Sequence, residues 1–197
     1  MTVVCVRESI FTAAKLNNMK KTVFVFGLIN GVLICSMMIY STAACCKNPE
    51  TTGNDVLGYA SMLVAAAFIF IGVKHFRDKY QQGVISFGKA FQVGALITLI
   101  ASTMYVIVWL IDYYVFIPEF IDKYSEHMLY RARADGASPA ELAEKAKEVA
   151  DFKELYKNPL FVVLTTFVEV LPIGLAVAVI SALILKRRKK ENPELSF

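Results

Sequence analysis

Glu169 is the residue of this chain best placed to do chemistry. It is the only charged side chain in the run Pro159–Leu185, PLFVVLTTFVEVLPIGLAVAVISALIL. A carboxylate so placed can hold a proton or a cation. Pro172, three residues later, has no N–H, so the Val168 carbonyl loses its helical partner and a kink is expected. The run is long enough, at about 1.5 Å per residue, to cross a hydrocarbon core of about 30 Å. An ionised carboxylate at the middle of such a helix costs at least about 2.5 kcal/mol, so Glu169 should face protein. In its neutral form it would donate a hydrogen bond to a freed carbonyl or to a neighbouring polar group. Thr165 and Thr166 lie on its own face; Thr98, Ser102, Thr103, Ser36 and Asn30 lie in other apolar runs at compatible depths. A proton path needs more than one titrating group, and no second charge lies in these runs. A packing role beside the proline therefore outweighs proton or cation transport.

Other constellations are weaker. Cys5, Cys35, Cys45 and Cys46 have no metal-ligand spacing, and His75 and His127 fall on opposite sides of the membrane in the topology set out below. No metal and no cofactor is expected. Gly83 and Gly88-Lys89 mimic a phosphate-binding loop, but Ala90 stands where Ser or Thr is needed and no strand precedes it. No Ser-His-Asp or Cys-His set can be assembled, so the chain is not read as an enzyme. A lipid-acting enzyme would need a polar pocket at Lys74, His75 and Arg77. The basic residues form no continuous face, which excludes nucleic acid as a partner.

The elements that must position Glu169 are read from the apolar runs. At 56% hydrophobic residues, with those residues in long runs, the chain is too apolar for a soluble domain of its size. The reading is an all-α membrane protein with four transmembrane helices, at about 22–44, 56–73, 90–111 and 159–185. Residues 112–158 form an extracytoplasmic helical hairpin between the third and fourth. Within it, Ser138-Pro139-Ala140-Glu141 has the residues of a capping box with proline at the first helical position. Ser86 is the expected N-cap of the third span. Trp109, Tyr113 and Tyr114 should mark the outer interface as an aromatic belt.

Small residues set the packing. Gly27 and Gly31 form a GxxxG pair in the first span. Ser86, Ala90, Gly94, Thr98 and Ser102 make a stripe along the third. Gly174, Ala178 and Ala182 make another on the fourth, opposite Glu169. Such stripes let helices approach closely, within the bundle or in a homo-oligomer.

Charge fixes the orientation. Lys74, Arg77, Lys79 and Lys89 surround the loop between the second and third spans, and Lys186, Arg187 and Arg188 follow the fourth. These, with Lys20 and Lys21, place both termini on the cytoplasmic side and contact anionic lipid headgroups. Residues 1–21 form a cytoplasmic segment, 22–185 the transmembrane domain and 186–197 a basic tail. Met19-Lys20-Lys21 resembles a natural start, so residues 1–18 are either an upstream extension or loosely attached. A rival reading takes Thr42-Ala43-Ala44-Cys45 as a lipobox, but the apolar run before it exceeds the roughly 7–15 residues of a signal core.

The segments IGVKHFRDKYQQGVISFGKAFQVGALITLIAS and YKNPLF…TFVEVLPIGLAVAVISALILKRRKK resemble a bacterial domain-of-unknown-function family of four-helix inner-membrane proteins. The resemblance spans nearly all of 19–190. It implies the bacterial inner membrane, four crossings and a polar hairpin before the last, and it supplies no activity. The expected function is a structural or accessory bundle with a protein partner; the alternative is a small transporter or channel using Glu169.

Overall fold

The structure is a computed structural model, described over residues 2–47 and 55–187, with side chains from 17 to 43 and from 64 to 187. Readings that rest on the side chains of Cys5, Cys45 and Cys46, on the 48–54 turn, and on Arg188 and the tail beyond it lie outside what is described. The described chain is helical: α1 (Thr2–Lys47), α2 (Asp55–Tyr80), α3 (Phe87–Ile111) with a π-helical turn (Asp112–Phe116), α4 (Phe120–Ala134), α5 (Pro139–Tyr156) and α6 (Pro159–Leu185). The first helix begins well before Thr22, where the apolar run alone would start it.

Three helical stretches are long and apolar enough to cross a membrane: Asn17–Ala43, Phe87–Phe116 and Pro159–Leu185. The third of these keeps its helix through Pro172. Helix starts follow local chemistry. Ser138 Oγ accepts from the Glu141 N–H, and the Glu141 carboxylate accepts from the Ser138 N–H at 2.8 Å, the reciprocal pair expected at the start of α5. Ser86 precedes α3 as expected, and its Oγ accepts from the Lys89 N–H at 3.4 Å.

The chain divides into two compact units: Met1–Gly31 with Val64–Ala101 and Leu171–Phe197, and Val32–Leu63 with Ser102–Val170. Each has its own core. In the first, Val73, Phe76, Val93, Ile97, Ala178 and Ala182 are buried together. Its helices meet where side chains are smallest. A Cβ added to Gly94 would lie 2.9 Å from Ala178 Cβ, and one added to Gly27 would lie 2.8 Å from Ile100 Cβ. Gly174 stands closer still against Thr98. The small-residue stripes of the third and fourth spans therefore face each other. In lipid this close packing replaces the hydrophobic drive that holds soluble helices together. Gly72, packed on Ile97 and Phe26, belongs to the same set and went unread in the sequence because it stands alone. Gly31 is buried as well.

At one end of this unit the Arg187 N–H donates to the Ile85 carbonyl at 3.0 Å, tying the end of α6 to the loop between α2 and α3. That loop turns through Gln82 and Gly83, both at positive φ.

The second unit is aromatic. Trp109, Tyr113, Ile121, Tyr156 and Val162 are buried around Met38, with Phe120, Phe152 and Phe161 packed on them. This corrects the aromatic-belt expectation: Trp109 and Tyr113 turn inward, and only Tyr114 of the three is exposed. The reason is a partner. The Trp109 Nε1–H donates to Tyr156 Oη at 3.1 Å, so the indole satisfies its donor within the protein. Helices α4 and α5 pack on each other within this unit, joined also by an ion pair between Lys153 and Asp122.

Candidate functional site

Glu169 faces outward. It is exposed on α6, as are Val168, at 72%, and Pro172 and Ile173. This overturns the expectation that the carboxylate is sheltered by its own chain. No hydrogen-bond or ion-pair partner for it exists among the described residues.

The expected hydrogen-bond partners are engaged otherwise. The Thr166 Oγ–H donates to its own helix, to the Val162 carbonyl at 2.7 Å. Thr165 is half-buried on α6 and Thr103 is exposed on α3. Asn30, Thr98 and Ser102 are buried, and Asn30 Oδ1, Thr98 Oγ1 and Ser102 Oγ have no partner among the described residues. Ser36 is spent on the Val32 carbonyl at 2.7 Å. These hydroxyls do not form the polar shell predicted around Glu169.

A second acid matters more than its sequence position suggests. Asp112 was read as the first residue outside the bilayer. Instead it is buried at the head of the π-helical turn, and the Thr42 Oγ–H donates to Asp112 Oδ2 at 3.1 Å. Thr42 Oγ is also 3.1 Å from the Met38 and Ile39 carbonyls, so a single proton is shared among three acceptors. π-turns occur frequently where a side chain is re-aimed for a purpose. The sequence did hold a signal: Cys35, Met38 and Thr42 recur at helical spacing, the face that is buried here. Tyr156 lies in the same unit. Burial raises its phenol above the ordinary range, with the Glu169 charge acting in the same direction and the Trp109 hydrogen bond opposing.

The basic cluster at the Ile85–Arg187 end is partly self-compensated. Arg77 Nε bonds Asp78 Oδ1 at 2.6 Å with its side chain only 13% exposed, and this bond holds the Asp78 carboxyl below its usual range. Arg77 is thus tied through Nε to Asp78. Lys74, Lys79, Lys186 and Arg187 are exposed, and Lys89 bonds Gln92 at 2.9 Å. His75 packs its ring on Phe26 and Tyr80, which gives the Lys74–His75–Arg77 corner an aromatic rather than a polar character. Among the described residues no group of three His, Cys, Asp or Glu side chains is placed to hold a metal.

No curated protein and no solved structure matches this chain. One family does match, over residues 24–187, and it takes in most of the first span, the other two spans, Asp112 and Glu169. The chain belongs to that family, described as protein of unknown function (DUF4199).

Proposed function

We propose that this chain is a multi-pass membrane protein that works as a partner-binding bundle, with Glu169 as the polar anchor of its contact surface. The observation that carries this is the outward placement of Glu169 on an otherwise apolar face of α6. A carboxylate turned to acyl chains carries the full cost of desolvation, and a protein neighbour in the bilayer relieves it. In this reading α2 is a fourth crossing and both termini lie on the cytoplasmic side of a bacterial inner membrane. Helices α4 and α5 then form an extracytoplasmic hairpin, and Lys74, Lys79, Lys186 and Arg187 lie at anionic headgroups. No catalysis is assigned to it.

The transporter alternative needs an internal route to Glu169. The close seams at Gly94–Ala178 and Gly27–Ile100 favour a packed bundle over a conduit. The test is flux. Purified full-length protein in vesicles of phosphatidylethanolamine and phosphatidylglycerol is expected to pass protons, Na+ and K+ no faster than empty vesicles do. A flux abolished by Glu169→Gln in a folded protein would overturn the reading in favour of transport.

A further inference from the structure

Resting on the membrane reading above and deepening its headgroup contacts, we infer that Lys74 of α2 and Arg187 at the end of α6 seat the phosphate of one anionic phospholipid. Both residues belong to the first compact unit, and both are exposed. Asp78 is the only acid among the described side chains of that unit. Several cations near it already have a neighbour. Arg77 bonds Asp78 at 2.6 Å, Lys89 bonds Gln92, and Lys79 lies 5.8 Å from the centre of the Tyr80 ring. The side chains of Lys74 and Arg187 have no hydrogen bond or ion pair among the described residues, yet both charges act on the Asp78 carboxylate. With Asp78 neutralised by Arg77, two uncompensated charges from two helices remain beside it.

The backbone holds the pair in place. Lys74 stands one helical turn before Asp78 on α2. The Arg187 N–H donates to the Ile85 carbonyl at 3.0 Å, which ties the end of α6 to the loop that follows α2. A phosphodiester shares one negative charge over two free oxygens. The guanidinium of Arg187 offers paired N–H donors that match them, and Lys74 adds a mobile point charge. A lipid fits better than free phosphate, because each cation has an exposed apolar residue one turn deeper on its own helix. Ile71 precedes Lys74 by three residues, and Ile184 precedes Arg187 by three. Acyl chains can lie along Ile71 and Ile184 while the headgroup meets the cations above them. Basic pockets between membrane helices bind anionic headgroups in this way.

The experiment titrates purified full-length protein in detergent with phosphatidylglycerol, phosphatidylcholine or inorganic phosphate and reads the thermal midpoint. Phosphatidylglycerol should raise the midpoint and saturate, and the other two should not. Lys74→Gln combined with Arg187→Gln should weaken the apparent affinity for phosphatidylglycerol about tenfold. Lys20→Gln combined with Lys21→Gln removes the same charge from exposed positions on α1 and should leave the affinity within about threefold. The midpoint without lipid shows whether each variant is folded; should the first pair fail to fold, Arg187→Gln alone, expected to weaken affinity about threefold, carries the same test. An equal response to phosphatidylcholine would overturn the inference, and so would a response to inorganic phosphate. Equal losses in the two double variants would show diffuse attraction and overturn the seat. These three outcomes leave the partner-binding reading of Glu169 standing, whereas recovery of the chain from the soluble fraction without detergent would overturn the membrane reading beneath both.

Discussion

Thr98 of α3 stands directly against Gly174 of α6, with Thr98 Oγ1 3.0 Å from where a Cβ on Gly174 would be. One turn further along α6, Gly94 meets Ala178 in the same way. The two small-residue stripes are therefore one seam. Gly174→Leu is expected to destabilise by about 1–3 kcal/mol, because the added carbons have no free volume at Thr98. Thermal unfolding of the purified protein in detergent measures it. An unchanged midpoint for Gly174→Leu would mean that the seam is looser than its geometry.

The sole tryptophan reports on the second unit. Tyr156→Phe removes the acceptor of the Trp109 Nε1–H and leaves a buried donor unpaired, at about 1–3 kcal/mol. Indole emission should shift with it. Emission and stability both unaltered by Tyr156→Phe would show the bond to be unimportant.

The same phenol makes stability fall at high pH. Its folded-state pKa is raised, by burial first, so its contribution is fully present below the unfolded tyrosine value of about 10 and is lost as pH rises through the folded value. Denaturant midpoints followed by Trp109 emission between pH 9 and the alkaline limit of folding should decline, and less steeply in Tyr156→Phe. Equal slopes in the two proteins would remove Tyr156 as a cause.

Thr42→Val keeps the shape of the side chain and deletes the donor to Asp112. With the buried carboxylate short of a partner, the variant should lose about 1–3 kcal/mol. Combined with Asp112→Asn the loss should be less than the sum of the two single changes, since they act on one bond. Strict additivity in the double-mutant cycle would mean that the two residues are not coupled.

The start of α5 responds to acid. Hydrogen bonds from Ser138, the backbone N–H first and the hydroxyl second, hold the Glu141 carboxyl below its ordinary value. A lowered carboxyl stabilises above its unfolded pKa and loses that effect as pH falls through the folded pKa. Amide exchange at Glu141, corrected for intrinsic rates, should therefore be less protected in acid than at neutral pH. Ser138→Ala should weaken the cap by about 1 kcal/mol and shrink the difference without removing it, because the backbone N–H at 138 still donates to Glu141. Protection that does not vary with pH would argue against the cap's electrostatic part.

The sequence by itself determined three of the four expected spans, the starts of α3 and α5, and the residues small enough to let helices touch. These follow from composition along the chain: apolar length sets a span, Ser138 with Glu141 sets a cap, and glycine or alanine at four-residue spacing sets a seam. Only the tertiary structure decided which way each side chain points. Glu169 looked sheltered because its cost was known and its surroundings were not; the folded chain leaves it exposed on α6. Trp109 looked interfacial because its type favours interfaces, yet Tyr156, 47 residues away, gives it a buried partner. Asp112 looked solvated because it follows the last apolar residue, yet a π-turn carries it inward to Thr42, 70 residues distant. Local rules price a residue's exposure, but its actual neighbours come from helix packing, which depends on residues far apart in the chain.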